Sequence, residues 1–231
     1  MDFLAEGFRR AWALLVAGDS EVYGIALLTL KVAAVATVIS CAVGMPLGYF
    51  LATRRFWGRR AALTVVNTAL AFPTVVVGVL LYGLLSRQGP LGELGWLYTW
   101  QAIVVGDVLL ALPIAAALSA AAIQGVDARV KRTAETLGAD SWLTAWMVVR
   151  EARFALAAVT TAAFGQVVAE VGAAMIVGGN IRGSTRTLTT AVALYTSQGD
   201  FGMALALGLV LVLLALVVNI VLQVLQGRGD G

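Results

Sequence analysis

Side chains able to act on another molecule are concentrated in two places in this chain. The first is Glu170 and the stretch that follows it, with Gly178, Gly179, Asn180, Arg182, Thr185, Arg186 and Thr187. Glu170 stands well inside an apolar run. An ionisable residue there faces a bundle interior or a cavity, or makes a polar contact between helices. Arg182 and Arg186 offer planar forks that match oxyanions. Amides freed by glycine, and threonine hydroxyls, add further donors. The set suits a mouth that handles an anion; an interfacial loop anchored by arginine is the other reading. The second place is residues 126–154, a charged island between apolar runs. Lys131 to Leu137 predicts a short helix, Gly138 its stop, and Asp140 or Ser141 the cap of the next helix. Two short helices joined this way make a rigid L-shaped projection able to carry force from a soluble partner. An ordinary solvated loop with charged faces remains open on the residues alone.

Other chemistry is excluded by what the chain lacks. Histidine, the commonest general base and metal ligand, is absent. One cysteine, Cys41, allows no disulfide framework and no thiolate metal cluster, so no metal site is expected. A phosphate-binding loop needs Lys followed by Ser or Thr. The lysines are Lys31, before Val32, and Lys131, before Arg132, so this chain carries no ATP site and no cofactor of its own.

These residues are positioned by membrane helices. The chain has 231 residues, 60% hydrophobic and 13% charged, with mean hydropathy +0.90. Soluble domains are about half apolar and about a quarter charged. Apolar runs of the length that crosses hydrocarbon recur, without the alternation of a β-barrel. Five spans are predicted: one within Val22–Ala52, then Ala61–Leu85, Gln101–Ile123, Ala155–Val177 and Phe201–Leu225. Lys31 is expected near an interface, snorkelling. Residues 2–17 place Leu4, Phe8, Ala11 and Leu15 on one face beside Phe3 and Trp12, as an amphipathic helix on the membrane surface would.

Pro46, Pro73 and Pro113 punctuate the spans, with Pro73 and Pro113 expected to kink them. Gly44, Gly48, Gly165 and Gly172 are expected to allow close helix packing. Arg54, Arg55, Arg59 and Arg60 crowd one loop, and Arg129, Lys131, Arg132, Arg150 and Arg153 another. The positive-inside rule puts both in the cytoplasm, with the N-terminus outside and the C-terminus, with Arg228, inside. It also explains the pI near 9.4 without nucleic acid.

The charged island resembles the coupling loop of ABC importer permeases, whose pattern is Glu-Ala-Ala, three residues, Gly, nine residues, then Ile-x-Leu-Pro. Arg132-Thr133-Ala134, Glu135-Thr136-Leu137, Gly138 and Val148-Val149-Arg150-Glu151 occupy those positions, with Ala139, Asp140 and Trp142 in the same frame. Arg132 replaces the leading Glu, and Glu135 is the substitute acid, unless the partner surface differs. Glu170-Val171-Gly172-Ala173 and Gly179-Asn180-Ile181-Arg182-Gly183-Ser184-Thr185-Arg186-Thr187-Leu188 resemble the permeases of oxyanion importers, as does Phe72-Pro73-Thr74-Val75-Val76-Val77-Gly78. The doubled Gly178-Gly179, the run Thr187 to Ala191 and Arg150-Glu151-Ala152-Arg153 are similar to the tungstate branch, with molybdate and sulfate permeases as neighbours.

The resemblance implies an all-α membrane protein: five transmembrane helices in a type I ABC importer permease fold, with an N-terminal amphipathic interfacial helix. One domain, residues 1–231, would divide into the interfacial helix (1–20), a five-helix core (21–226) and the coupling loop (126–154). It implies a homodimer in the prokaryotic inner membrane, two ATP-binding subunits that carry ATP and Mg, and an extracytoplasmic oxyanion-binding protein. A stand-alone secondary transporter or channel would leave the charged island without purpose. A membrane-embedded enzyme is disfavoured by the absence of histidine and of paired intramembrane acids.

Overall fold

The computed structural model describes residues 2–17 and 20–227, and every regular element among them is helical. Besides a 3-10 turn at Gly92–Leu94, they are α1 (Asp2–Ala17), α2 (Ser20–Thr53), α3 (Arg59–Ala69), α4 (Thr74–Leu85), α5 (Trp100–Gln124), α6 (Ala128–Thr136), α7 (Ser141–Glu151), α8 (Arg153–Val168), α9 (Gly172–Gly178), α10 (Leu188–Ser197) and α11 (Phe201–Gly227). Arg228 and the side chains of Phe3, Leu4, Ala11 and Leu15 lie outside the described residues.

Three helices are long and apolar enough to cross a bilayer singly: α2, α5 and α11. Two further spans are bent pairs, α3 with α4 at 101° and α8 with α9 at 56°. The spans expected over Ala61–Leu85 and Ala155–Val177 are thus each built from two helices, and the kink expected at Pro73 is a full break. Pro73 lacks an N–H and stands at the first break as the N-cap of α4. At the second break Glu170 precedes Gly172, and Val171 leaves helical geometry. Pro46 and Pro113 lie inside continuous helices. At 34 residues, α2 is about 51 Å long, which exceeds the ~30 Å hydrocarbon layer. Lys31 lies 3.7 Å from the ring centroid of Trp100, the first residue of α5.

The packing centre is a seam between α2 and α5 made of small side chains. Ala33, Ala36, Ala111, Ala115 and Ala116 are essentially inaccessible. A Cβ on Gly48 would meet the Ala116 carbonyl oxygen at 2.5 Å, and one on Gly44 the Ala115 Cβ at 2.6 Å. Close backbone approach replaces large side chains as the source of dispersion contact. α8 closes the cluster with Phe164, Val167 and Val168, while α9 packs on α4 and α5. Gly172 belongs to that second contact, 2.7 Å from the Thr74 hydroxyl if it carried a Cβ. Gly165, expected to be a packing glycine, faces open space. α1 packs along α11 and leaves Phe8, Trp12 and Val16 exposed, as a helix half-sunk in an interface would.

Gly48→Leu forces bulk into the seam and is expected to destabilise the purified protein by about 1–3 kcal/mol, the usual cost of overpacking. Gly83→Leu, whose Cβ meets nothing within 4 Å, is expected to be neutral. Thermal unfolding of the two variants in detergent, side by side, checks the difference.

Candidate functional site

Residues 178–190 form a tight reverse loop rather than an open row of donors. Gly178 lies against Ile103, 2.8 Å from a built Cβ, and Gly179 lies against Tyr98 with φ +70°. The doubled glycine is thus a place where two other elements come too close for a side chain. Asn180 continues the turn with φ +48°, and its side-chain amide donates to the Thr190 carbonyl at 3.2 Å. Thr185, fully buried, accepts from the Ile181 amide at 2.9 Å and donates to the Gly178 carbonyl at 2.5 Å. Thr187 and Thr190 close a reciprocal capping box at the start of α10. The Leu188 amide donates to the Thr29 hydroxyl on α2 at 2.9 Å. These hydroxyls replace the backbone partners that the turn removes, as a buried irregular segment requires.

The two arginines point back at the protein. Arg182 meets Glu21 of α2 through both Nε, at 2.8 Å, and Nη2. Arg186, only 13% exposed, lies 3.7 Å from the same carboxylate and donates to the Asn180 carbonyl at 3.5 Å. Glu21 was not among the residues singled out from the sequence. Nothing in its local context marks it, because the contact spans 161 positions. Glu21, Arg182, Gly183, Ser184 and Arg186 border a surface cavity of about 360 Å³.

Glu170 is 5% exposed, and its Oε1 accepts from the Ala173 amide at 2.8 Å, at the break between α8 and α9. It is not alone. Asp107 of α5 is 2% exposed and lines the same small internal cavity. The expectation of no paired intramembrane acids is corrected here. The signal was legible: an acid inside the apolar run Gln101–Ile123, to which the rule applied to Glu170 applies equally.

At the other end of the bundle the charged island forms α6 and α7. Asp127 caps α6 by accepting from the Arg129 amide at 2.8 Å. The Arg129 side chain, then its backbone amide, hold the Asp127 carboxyl below its ordinary range. A depressed carboxylate supports the fold above its unfolded pKa and ceases to as pH falls, so this cap weakens in acid. Gly138, φ +84°, ends α6 in a Schellman turn, with Ala139 N–H to Ala134 O at 2.9 Å and Gly138 N–H to Glu135 O at 3.1 Å. The start of α6, expected at Lys131, comes earlier, at Ala128. Asp140 caps α7 through the Leu143 amide at 2.7 Å. Arg132, Thr133, Glu135, Leu137 and Asp140 are exposed and Ala139 is half-buried, while Ala134 is buried. Glu135 faces Lys131 at 3.8 Å. Val148 and Ala152 pack with Ile123, Tyr49 and Leu156, which seats the projection on α2, α5 and α8.

Residues 44–229 match the family described as "Binding-protein-dependent transport system inner membrane component". The chain belongs to that family. The permease is 39% identical over 226 residues to the "Tungstate uptake system permease protein TupB" of Peptoclostridium acidaminophilum, covering 98% of this chain and 99% of the relative. The Campylobacter jejuni protein of the same name is also 39% identical, over 98% and 95%. The "Molybdenum transport system permease protein ModB" of Escherichia coli K12 is 29% identical over 77% and 82%. The fold matches that of a bacterial ABC transporter that imports alginate, with TM-score 0.75, 16% identity and coverage of 94% and 83%. The permease is thus a multi-pass inner-membrane component, and the family associates with ATPase and binding-protein subunits.

Thr185→Val leaves the Ile181 amide and the Gly178 carbonyl without their shared partner. A loss of about 1–3 kcal/mol is expected for such buried groups. Thr196→Val, on an exposed hydroxyl, is expected to change little. Urea unfolding of the detergent-solubilised permease reads the difference.

Proposed function

We propose that this permease is the translocation subunit of an ATP-driven tungstate importer. The observation that carries the reading is likeness to tungstate permeases along almost the whole chain, with no large segment left over. Two copies line a pathway at a two-fold axis. Two separate ATPase subunits dock on α6, and an extracytoplasmic binding protein delivers the anion to the end that carries Arg182 and Arg186. The arginine-rich loops, residues 54–60 and 126–154, face the cytoplasm. Molybdate is the second substrate to consider, because molybdenum permeases are relatives at lower identity.

The mechanism is alternating access driven from outside the chain. ATPase closure pushes on the exposed face of α6. The packing of Val148 and Ala152 against Ile123, Tyr49 and Leu156 carries that push into α2, α5 and α8. α8 passes it across the break at Glu170 to α9, and so to the loop that holds Arg182 and Arg186. A pathway that must release its cargo inside binds it weakly. The pairing of both arginines with Glu21 suits such a mouth, because the carboxylate competes with the anion.

Gly138→Trp tests the lever. Nothing lies within 4 Å of a Cβ at this position, so the bulk meets the docking partner instead of the chain itself. The left-handed backbone adds a strain of about 1–2 kcal/mol. Uncoupling of ATP hydrolysis from uptake, by tenfold or more, is expected with normal membrane abundance; normal uptake would exclude the lever. Elemental mass spectrometry of cells with and without the gene, given trace tungstate, molybdate and sulfate in competition, tests the substrate. Selective loss of tungsten is expected.

A further inference from the structure

We propose that Asp107 and Glu170 form one proton-binding site, with the proton on Asp107, that latches α5 to the break between α8 and α9. The cavity that both carboxyls line has a volume of about 10 Å³, the room of one water. The two side chains are 2% and 5% exposed, and Asp107 Oδ1 is enclosed without a hydrogen-bond partner.

The other polar groups on that lining are hydroxyls: Thr29 from α2, and Thr187 and Thr189 from the reverse loop and α10. Thr29 is already committed, donating to the Ile25 carbonyl and accepting from the Leu188 amide. Thr187 is engaged with Thr189 and Thr190. α8 contributes Val167 and Val168, and α9 contributes Ala174. No lysine or arginine lines the cavity among the described residues. Lys31 lies over Trp100, and Arg186 faces Glu21 and Asn180.

Two buried carboxyls on one cavity that no lysine or arginine lines cannot both keep a charge in an apolar setting. The geometry also says which one is neutral. Glu170 Oε1 is already occupied by the Ala173 amide. Asp107 Oδ1 is enclosed and meets no donor, so the proton is placed on that carboxyl. A neutral Asp107 can donate its proton toward Glu170, directly or through one water of the size the cavity admits. The pair then carries one negative charge and holds α5 against the break. Removing the proton leaves two like charges and drives the break away from α5. Because α8 passes force to α9 through this break, transport is expected to fall as pH rises.

Infrared difference spectroscopy of the purified wild-type permease, exchanged into heavy water near neutral pH, reads the proton directly. One protonated carboxyl stretch per chain is expected, absent in Asp107→Asn and retained in Thr196→Val. No such band in the wild type would overturn the proposal, whether or not any variant folds. So would a band that survives Asp107→Asn, or an absent band together with stabilisation by sodium or potassium, which would mean a metal cation holds the pair. In proteoliposomes with its ATPase, the wild type is expected to lose transport at alkaline pH and Asp107→Asn to lose that pH dependence. An alkaline limb identical in both would also overturn the latch. The infrared readout stands whichever oxyanion is carried, so its failure is separable from failure of the transport reading.

Discussion

Backbone polar groups at membrane depth have no water to turn to, and the architecture is arranged around that constraint. Long helices satisfy it within themselves. This chain breaks two of its spans and adds a reverse loop, so freed amides and carbonyls must find partners elsewhere. At Glu170 a carboxylate takes the Ala173 amide. In the reverse loop Thr185, Asn180, Thr187 and Thr29 take the others. The polar residues of the membrane region are therefore first the groups that make irregular backbone tolerable. Any role toward an anion is built on top of that one.

Force and packing share the same elements. α2 and α5 touch through glycine and alanine, so they move as one body. α9 sits on α4 and α5, and is joined to α8 only across three residues that are not helical. A bundle with one stiff seam and two broken spans has few ways to bend, and the breaks lie at Pro73 and at Glu170.

Hydropathy was enough to place the spans, because each long apolar run had to bury or face lipid. Gly138 and Asp140 could be read as a stop and a cap because those signals act within a few residues. Longer-range features were hidden. The Glu21 contacts with Arg182 and Arg186 join distant segments. The start of α10 was obscured because Thr187 and Thr190 cap each other without the usual acidic third residue. The glycines at 178 and 179 look like flexible punctuation but are close contacts with Ile103 and Tyr98. Asp107 was visible as an isolated acid; only the fold brings it to Glu170.

The α2–α5 seam also orders the assembly of the chain. Its two halves are separated by α3 and α4, so a ribosome delivering helices one at a time cannot close the seam until α5 has emerged. α4 enters the membrane before that seam exists, and its main neighbour, α9, is synthesised later still. Val75, Val76, Val79 and Leu80 remain exposed on α4 even in the finished fold. α1 waits longer still, for α11, so α1 and α4 are the parts of the nascent protein most in need of cover during insertion.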